Sequence, residues 1–148
     1  ICETIIAEKL PFSWSCCARA DFLHEDMLKL MKEAGCWMIE IGIESGCQRI
    51  MDSMRKNVLK ENINKIVDAV HKVGIIAKGN FILGSPGETH DSIMETIKFA
   101  NYINVHYVQH THLVPLPGSE IYESASEYGT FNPDWSSMNT FQIIFVPN

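Results

Sequence analysis

Apolar residues along this chain repeat with two alternating periods, near two and near 3.6 residues. Residues 13–19 alternate as a strand; Leu23, Met27, Leu30, Met31 and Ala34 then share one face of a helix that stops at Gly35. Residues 37–43 predict a second strand, and Ile63, Ile66, Val67, Val70 and Val73 stripe a second helix that ends at Gly74. A third strand is expected over 76–83, a third helix along Ile93, Ile97, Ala100 and Ile103, and a fourth strand over 105–113. The order β-α-β-α-β-α-β implies parallel strands joined by helical crossovers, either a doubly wound sheet or part of a barrel. Four strands are too few to close an eight-stranded barrel, which takes about 250 residues. Residues 1–10 read as the end of an amphipathic helix without a starting cap, so the chain is expected to begin in mid-protein. The tail from Gly129, with Pro133, Trp135 and the apolar run 141–146, is expected to pack back as an extended cap.

The faces of these strands are unequal. A parallel strand covered on both sides should be apolar throughout. In WMIEIGIE, residues 37–44, Trp37, Ile39, Ile41 and Ile43 share one face while Glu40, Gly42 and Glu44 share the other. Lys78 and Asn80 alternate with Gly79, Phe81 and Leu83; Arg19 projects with Ser15 and Cys17; Gln109 and Thr111 alternate with His106, His110 and His112. A face that carries Glu, Arg, Asn and Gln predicts a cleft rather than a dry core. Glu40, Asn80 and Gln109 are therefore candidates for lining a substrate, with satisfied buried ion pairs as the alternative.

Composition narrows the class. With 46% apolar and 20% charged residues in 148, the chain can bury a core. A net charge of −6, with the twelve Lys and Arg scattered, provides no basic surface for nucleic acid. No apolar run approaches the roughly 18 residues of a membrane span, and no signal peptide opens the chain; a cytoplasmic location is expected. The five cysteines, Cys2, Cys16, Cys17, Cys36 and Cys47, lack any ligand spacing and read as reduced thiols.

In parallel α/β proteins ligands sit at the carboxyl ends of the strands. Those ends hold RAD at 19–21, GIESG at 42–46, GSPGET at 84–89 and PLPGS at 115–119. In order and interval, RADFLHEDMLKLMKEAGCWMIEIGIESG, GNFILGSPGET and LVPLPGSEIY resemble the second half of the catalytic barrel of radical S-adenosylmethionine (radical SAM) enzymes. They are most similar to the subgroup of methyltransferases and methylthiotransferases that often carries a cobalamin-binding domain upstream. The resemblance covers residues 1–130 and leaves 131–148 as the tail. It implies a partial TIM-like (β/α) barrel with parallel strands, corresponding to about strands 3–6 of a six-stranded half-open barrel.

The resemblance also implies roles. Glu44, Ser45 and Gly46 match the family's contact with the ribose and methionyl part of S-adenosylmethionine. Ile82, Leu83 and Gly84 match the segment whose backbone meets adenine, with Phe81 where Ile is common. Arg19 matches a recurrent arginine, a partner for the cofactor carboxylate, and Pro115 opens a loop that helps close the site. Glu88 is placed with the cofactor residues and is expected to cap the following helix. The family signature, three cysteines as C-x3-C-x2-C ligating a 4Fe-4S cluster, is not in these residues. It is expected before Ile1, so that the chain would be a piece of an enzyme that cleaves its cofactor reductively to a 5'-deoxyadenosyl radical, inactive by itself. The expected partners are the small-molecule cofactor, the upstream barrel half and a cobalamin domain, with no nucleic acid and no membrane.

Three other readings compete. His106, His110 and His112 share parity on one strand, as in a metal-dependent barrel hydrolase, although Val108 and Val114 lie on the same outward face. Glu40 and Glu44 could act as an acid/base pair. A noncatalytic domain that keeps the fold is the third.

Overall fold

The computed structural model describes residues 1–11, 13–56, 58–139 and 141–148. Four strands, β1 (Trp14–Arg19), β2 (Cys36–Glu44), β3 (Ile76–Leu83) and β4 (Tyr107–His112), form one parallel sheet in sequential order. The helices are α1 (Cys2–Ala7), α2 (Glu25–Glu33), α3 (Gln48–Ser53), α4 (Lys60–Lys72), α5 (His90–Tyr102) and α6 (Glu120–Tyr128). A short antiparallel pair, β5 (Gly129–Phe131) with β6 (Phe145–Pro147), closes the chain. β6 thus pairs with the segment that leaves α6.

Local chemistry sets the boundaries. His24 starts α2 by accepting the Met27 N–H at its Nδ1 (3.3 Å). Gly35 and Gly74 follow α2 and α4 with φ of +90° and +74°, the left-handed turn that glycine makes without a steric penalty. Thr89 and Ser92 form a reciprocal capping box at α5. The cap expected from Glu88 therefore belongs to the next residue.

The core lies on one face of the sheet only. Ile39, Ile41, Ile43, Ala77 and Phe81 meet Leu28 and Met31 of α2, Ile63, Val67 and Val70 of α4, and Phe99 of α5 in a single cluster. Burying each of the larger side chains contributes about 1.5–3 kcal/mol. Consecutive strands as neighbours, with helices on one face, make an arc of a (β/α) barrel rather than a doubly wound sheet.

Two register slips interrupt the pairing of β2, and the first changes an expected face. Trp14 pairs with Cys36 and Ser15 with Met38, so Trp37 is an extra residue in β2. Trp37 is consequently 45% exposed and does not join Ile39, Ile41 and Ile43; Cys36 takes the buried place. The second slip skips Ile43 between Gly42 and Glu44, and Glu44 leaves the strand at φ +71°. Two helices, α3 and α6, lie where the sequence pattern predicts no element.

Candidate functional site

The uncovered face of the sheet holds a cavity of about 390 Å³ at the strand ends. Arg19, Glu40, Glu44, Asn80, Ile82 and Gln109, all anticipated from strand alternation or resemblance, line it together. Lys56, on the loop after α3, completes the wall; no periodicity marks a loop lysine twelve residues beyond Glu44. Gly42 and Thr111 also line the cavity, and Thr111 donates to the Phe81 carbonyl at 3.2 Å.

Charges in this wall are matched pairwise. Lys56 Nζ lies 2.7 Å from Glu44 Oε1, with both side chains about six-sevenths covered (16% and 15% exposed). A Cβ on Gly42 would stand 2.7 Å from that same Glu44 oxygen, so the glycine gives the ion pair its room. Lys78 Nζ and Asn80 Nδ2 both donate to Glu40 Oε2, at 2.8 and 3.2 Å. The hydrogen bond from Lys78, then that from Asn80, hold the Glu40 carboxyl below the ordinary carboxylate range. Arg19 makes a bidentate contact with Asp21, Nε to Oδ1 at 3.0 Å and Nη2 to Oδ2 at 2.8 Å, leaving three of its five N–H groups for another partner. Asn80 Oδ1 is buried and accepts no hydrogen bond from the described residues.

The remaining predicted residues stand behind this wall. Ser45 is wholly buried: its hydroxyl bonds Thr96 Oγ1 of α5 at 3.0 Å and accepts the Cys47 N–H at 3.1 Å. Gly46 N–H donates to Thr96 Oγ1 at 3.0 Å, and a Cβ there would come within 2.5 Å of Phe99 Cβ. These two residues anchor the loop that presents Glu44, and their side positions face α5. Glu88 performs a similar task, accepting from the N–H groups of Gly84 (2.6 Å) and Ser85 (3.0 Å). Gly84 turns there at φ +87°, the Leu83 carbonyl accepts the N–H of Leu113, just past β4 (2.8 Å), and Pro115 is buried.

The rival sites do not assemble. His106 stacks on His71 (ring centroids 4.5 Å) and accepts the Ala77 N–H, while His110 rests on Phe81 at 5.3 Å. Among the described residues no three His, Cys, Asp or Glu side chains could hold a metal ion. Glu40 and Glu44 are each engaged by a separate lysine, not by one another. Burial pushes the Cys36 thiol up to about 11, and Cys47 is buried in the loop beside Ser45. Among the described residues no helix is long and apolar enough to cross a membrane.

Known proteins resemble the chain in both sequence and shape. An uncharacterized methyltransferase of Pyrococcus horikoshii is 36% identical over 118 residues, covering 80% of this chain and 26% of that protein. The bacteriochlorophyllide d C-12(1)-methyltransferase of Chlorobaculum tepidum is 27% identical over 141 residues, covering 94% and 31%. The chain thus spans about a quarter to a third of the length of these two relatives. In shape it follows the radical S-adenosylmethionine methyltransferase TsrM of Kitasatospora setae, solved with cobalamin and a [4Fe-4S] cluster bound. The TM-score is 0.70 at 14% identity, over 99% of this chain and 31% of that one. The radical SAM superfamily profile matches residues 1–100, and with two thirds of its length so matched, this chain belongs to the radical SAM superfamily.

Proposed function

We propose that these residues bind S-adenosylmethionine in the cavity at the strand ends, as one part of a radical SAM methyltransferase. The observation that carries the reading is the run of paired charges along one wall, Arg19 with Asp21, Lys56 with Glu44 and Lys78 with Glu40. The methionyl end of S-adenosylmethionine is a zwitterion beside a sulfonium cation and a ribose diol. Carboxylates of Glu44 and Glu40 suit its ammonium and hydroxyl donors; N–H groups of Lys56 and Arg19 suit its carboxylate. Each protein charge already has a partner, so binding exchanges one ion pair for another and leaves no bare charge in a half-covered site. The unpartnered Asn80 Oδ1 offers an acceptor, and the backbone from Ile82 to Gly84 offers its polar groups to adenine. In this reading the Pro115 loop covers the bound cofactor. The donor set fits the cofactor.

It does not fit a 4Fe-4S cluster, since the five cysteines have no C-x3-C-x2-C arrangement and Cys16 and Cys36 are held as thiols by burial. The cluster ligands then lie outside these 148 residues, and the chain is a segment of a longer enzyme, in keeping with its share of its relatives' length. What this segment contributes is orientation and charge. Methyl transfer is favoured because it is the reaction named for both relatives, and cobalamin in a further domain because TsrM binds it.

The test is equilibrium binding of S-adenosylmethionine to the intact protein. Glu44→Ala and Arg19→Ala should each weaken binding at least about tenfold, the effect of losing a charge-assisted contact, without altering cluster absorbance. Parent-like affinity in both variants sinks the assignment.

A further inference from the structure

A second and larger cavity, about 740 Å³, lies between α3, the 84–88 loop and α6, and among the described residues none lines both cavities. The sequence has three arginines in all, and every one of them stands at the strand-end rim: Arg19 in the first cavity, Arg49 and Arg55 in the second. In a chain of net charge −6 this concentrates the planar, permanently charged donors where ligands bind. Arg49 spends one N–H on the Gly87 carbonyl (3.0 Å), and Arg55 meets Glu120 at 2.8 Å in a pair about three-quarters exposed. Most of their donors remain free. In the same wall Ser85, 1% exposed, has a hydroxyl without a hydrogen-bond partner among the described residues. Met54, Pro86, Leu113 and Ile121 give the wall an apolar stretch, beside the hydroxyl-bearing Ser53, Ser119, Ser124 and Tyr128. The volume suits an organic molecule of ordinary ligand size and far exceeds a bare inorganic anion.

The structure assigns to this cavity, we infer, an anionic organic ligand: a carboxylate or phosphate ester on an apolar body, its oxyanion held by Arg49 and Arg55. Glu120 is then an internal competitor that occupies Arg55 until the ligand arrives. The site is separate from that of S-adenosylmethionine.

Titration of the full chain with 1-naphthoate, 1-naphthyl phosphate and the uncharged 1-naphthamide, followed by backbone amide shifts, tests this. Both acids should move the amides of Ser85, Gly87 and Ile121 saturably, and naphthamide should bind at least about fivefold more weakly. The tighter acid identifies the headgroup. Arg49→Gln/Arg55→Gln should weaken the acids at least about fivefold, whereas Glu120→Gln, by freeing Arg55, should tighten them about two- to fivefold, a gain that misfolding cannot imitate. Equal binding of acid and amide overturns the inference, as do parent-like affinity in the double variant or shifts centred elsewhere. S-adenosylmethionine binding measured on the same variants should stay at the parent value; absence of that binding in the parent would defeat the cofactor reading and leave this one standing.

Discussion

Gly42 and Gly46 sit four residues apart on one segment and are glycines for different reasons. A Cβ at Gly42 meets the far end of a flexible carboxylate, whereas a Cβ at Gly46 meets Phe99 Cβ and the α5 backbone at 2.5–2.9 Å. Gly42→Ala should leave the unfolding free energy from urea titration within about 0.5 kcal/mol of the parent yet weaken S-adenosylmethionine binding, because it displaces Glu44 from Lys56. Gly46→Ala should cost about 1–3 kcal/mol of stability by overpacking. The reverse ranking would refute both placements. His71 gives a pH signature. Burial first, then the neighbouring His106, hold its imidazole below the ordinary 6.5. A lowered folded pKa means that the unfolded chain binds the proton more readily, so this contribution is complete above pH 6.5 and declines as pH falls through that value. Stability should drop from about pH 7.5 to about pH 5.5, and His71→Phe should shallow the slope; parallel slopes in the two proteins would exclude the histidine.

Between β2 and α5, Thr96 is the joint. Its wholly buried hydroxyl accepts the Gly46 N–H, bonds Ser45 and donates to the Ser92 carbonyl at 3.0 Å. Thr96→Val keeps the shape but orphans a buried N–H, which costs about 1–3 kcal/mol. Since the same loop carries Glu44, cofactor affinity should fall with it; full retention of affinity would show that Glu44 is positioned by β2 alone. Nothing in the sequence pattern isolates Thr96, whose partners in the β2 loop, Ser45 and Gly46, lie some fifty residues away. What the pattern does disclose is what period alone determines: four strands, three crossover helices, and the polar parity of Glu40, Asn80 and Gln109. It fails where a single residue breaks period, as at Trp37, because an inserted residue changes the face of its neighbours without changing composition. The six residues of α3 are too few to show a period. The sequence sign of α6 is its capping residue, Ser119, with Glu120 and Glu123 in the first turn, rather than a stripe.

Across the molecule, burial divides into two territories. The main core joins β1–β3 to α2, α4 and α5, whereas Ala125, Ile144 and Phe145, each 5% exposed or less, pack outside it where α6 meets the β5–β6 pair. At Gly129 the two strands approach so closely that a Cβ would strike the Val146 carbonyl, so β6 fits β5 only through a glycine. Contacts that are local in space and few across the boundary predict separate opening of the two territories. Removal of residues 141–148 should therefore raise hydrogen exchange in α6 and β5 while β1–β3 and α4 keep their protection, with a modest fall in the thermal midpoint. Uniform loss of protection across the sheet would instead mean one cooperative unit. The distinction bears on function because α6 walls the second cavity and Pro147 approaches Gly84, while Glu44, Lys56 and Asn80 rest on the main core. The truncated chain should thus keep its affinity for S-adenosylmethionine and lose that for the anionic naphthalene probes.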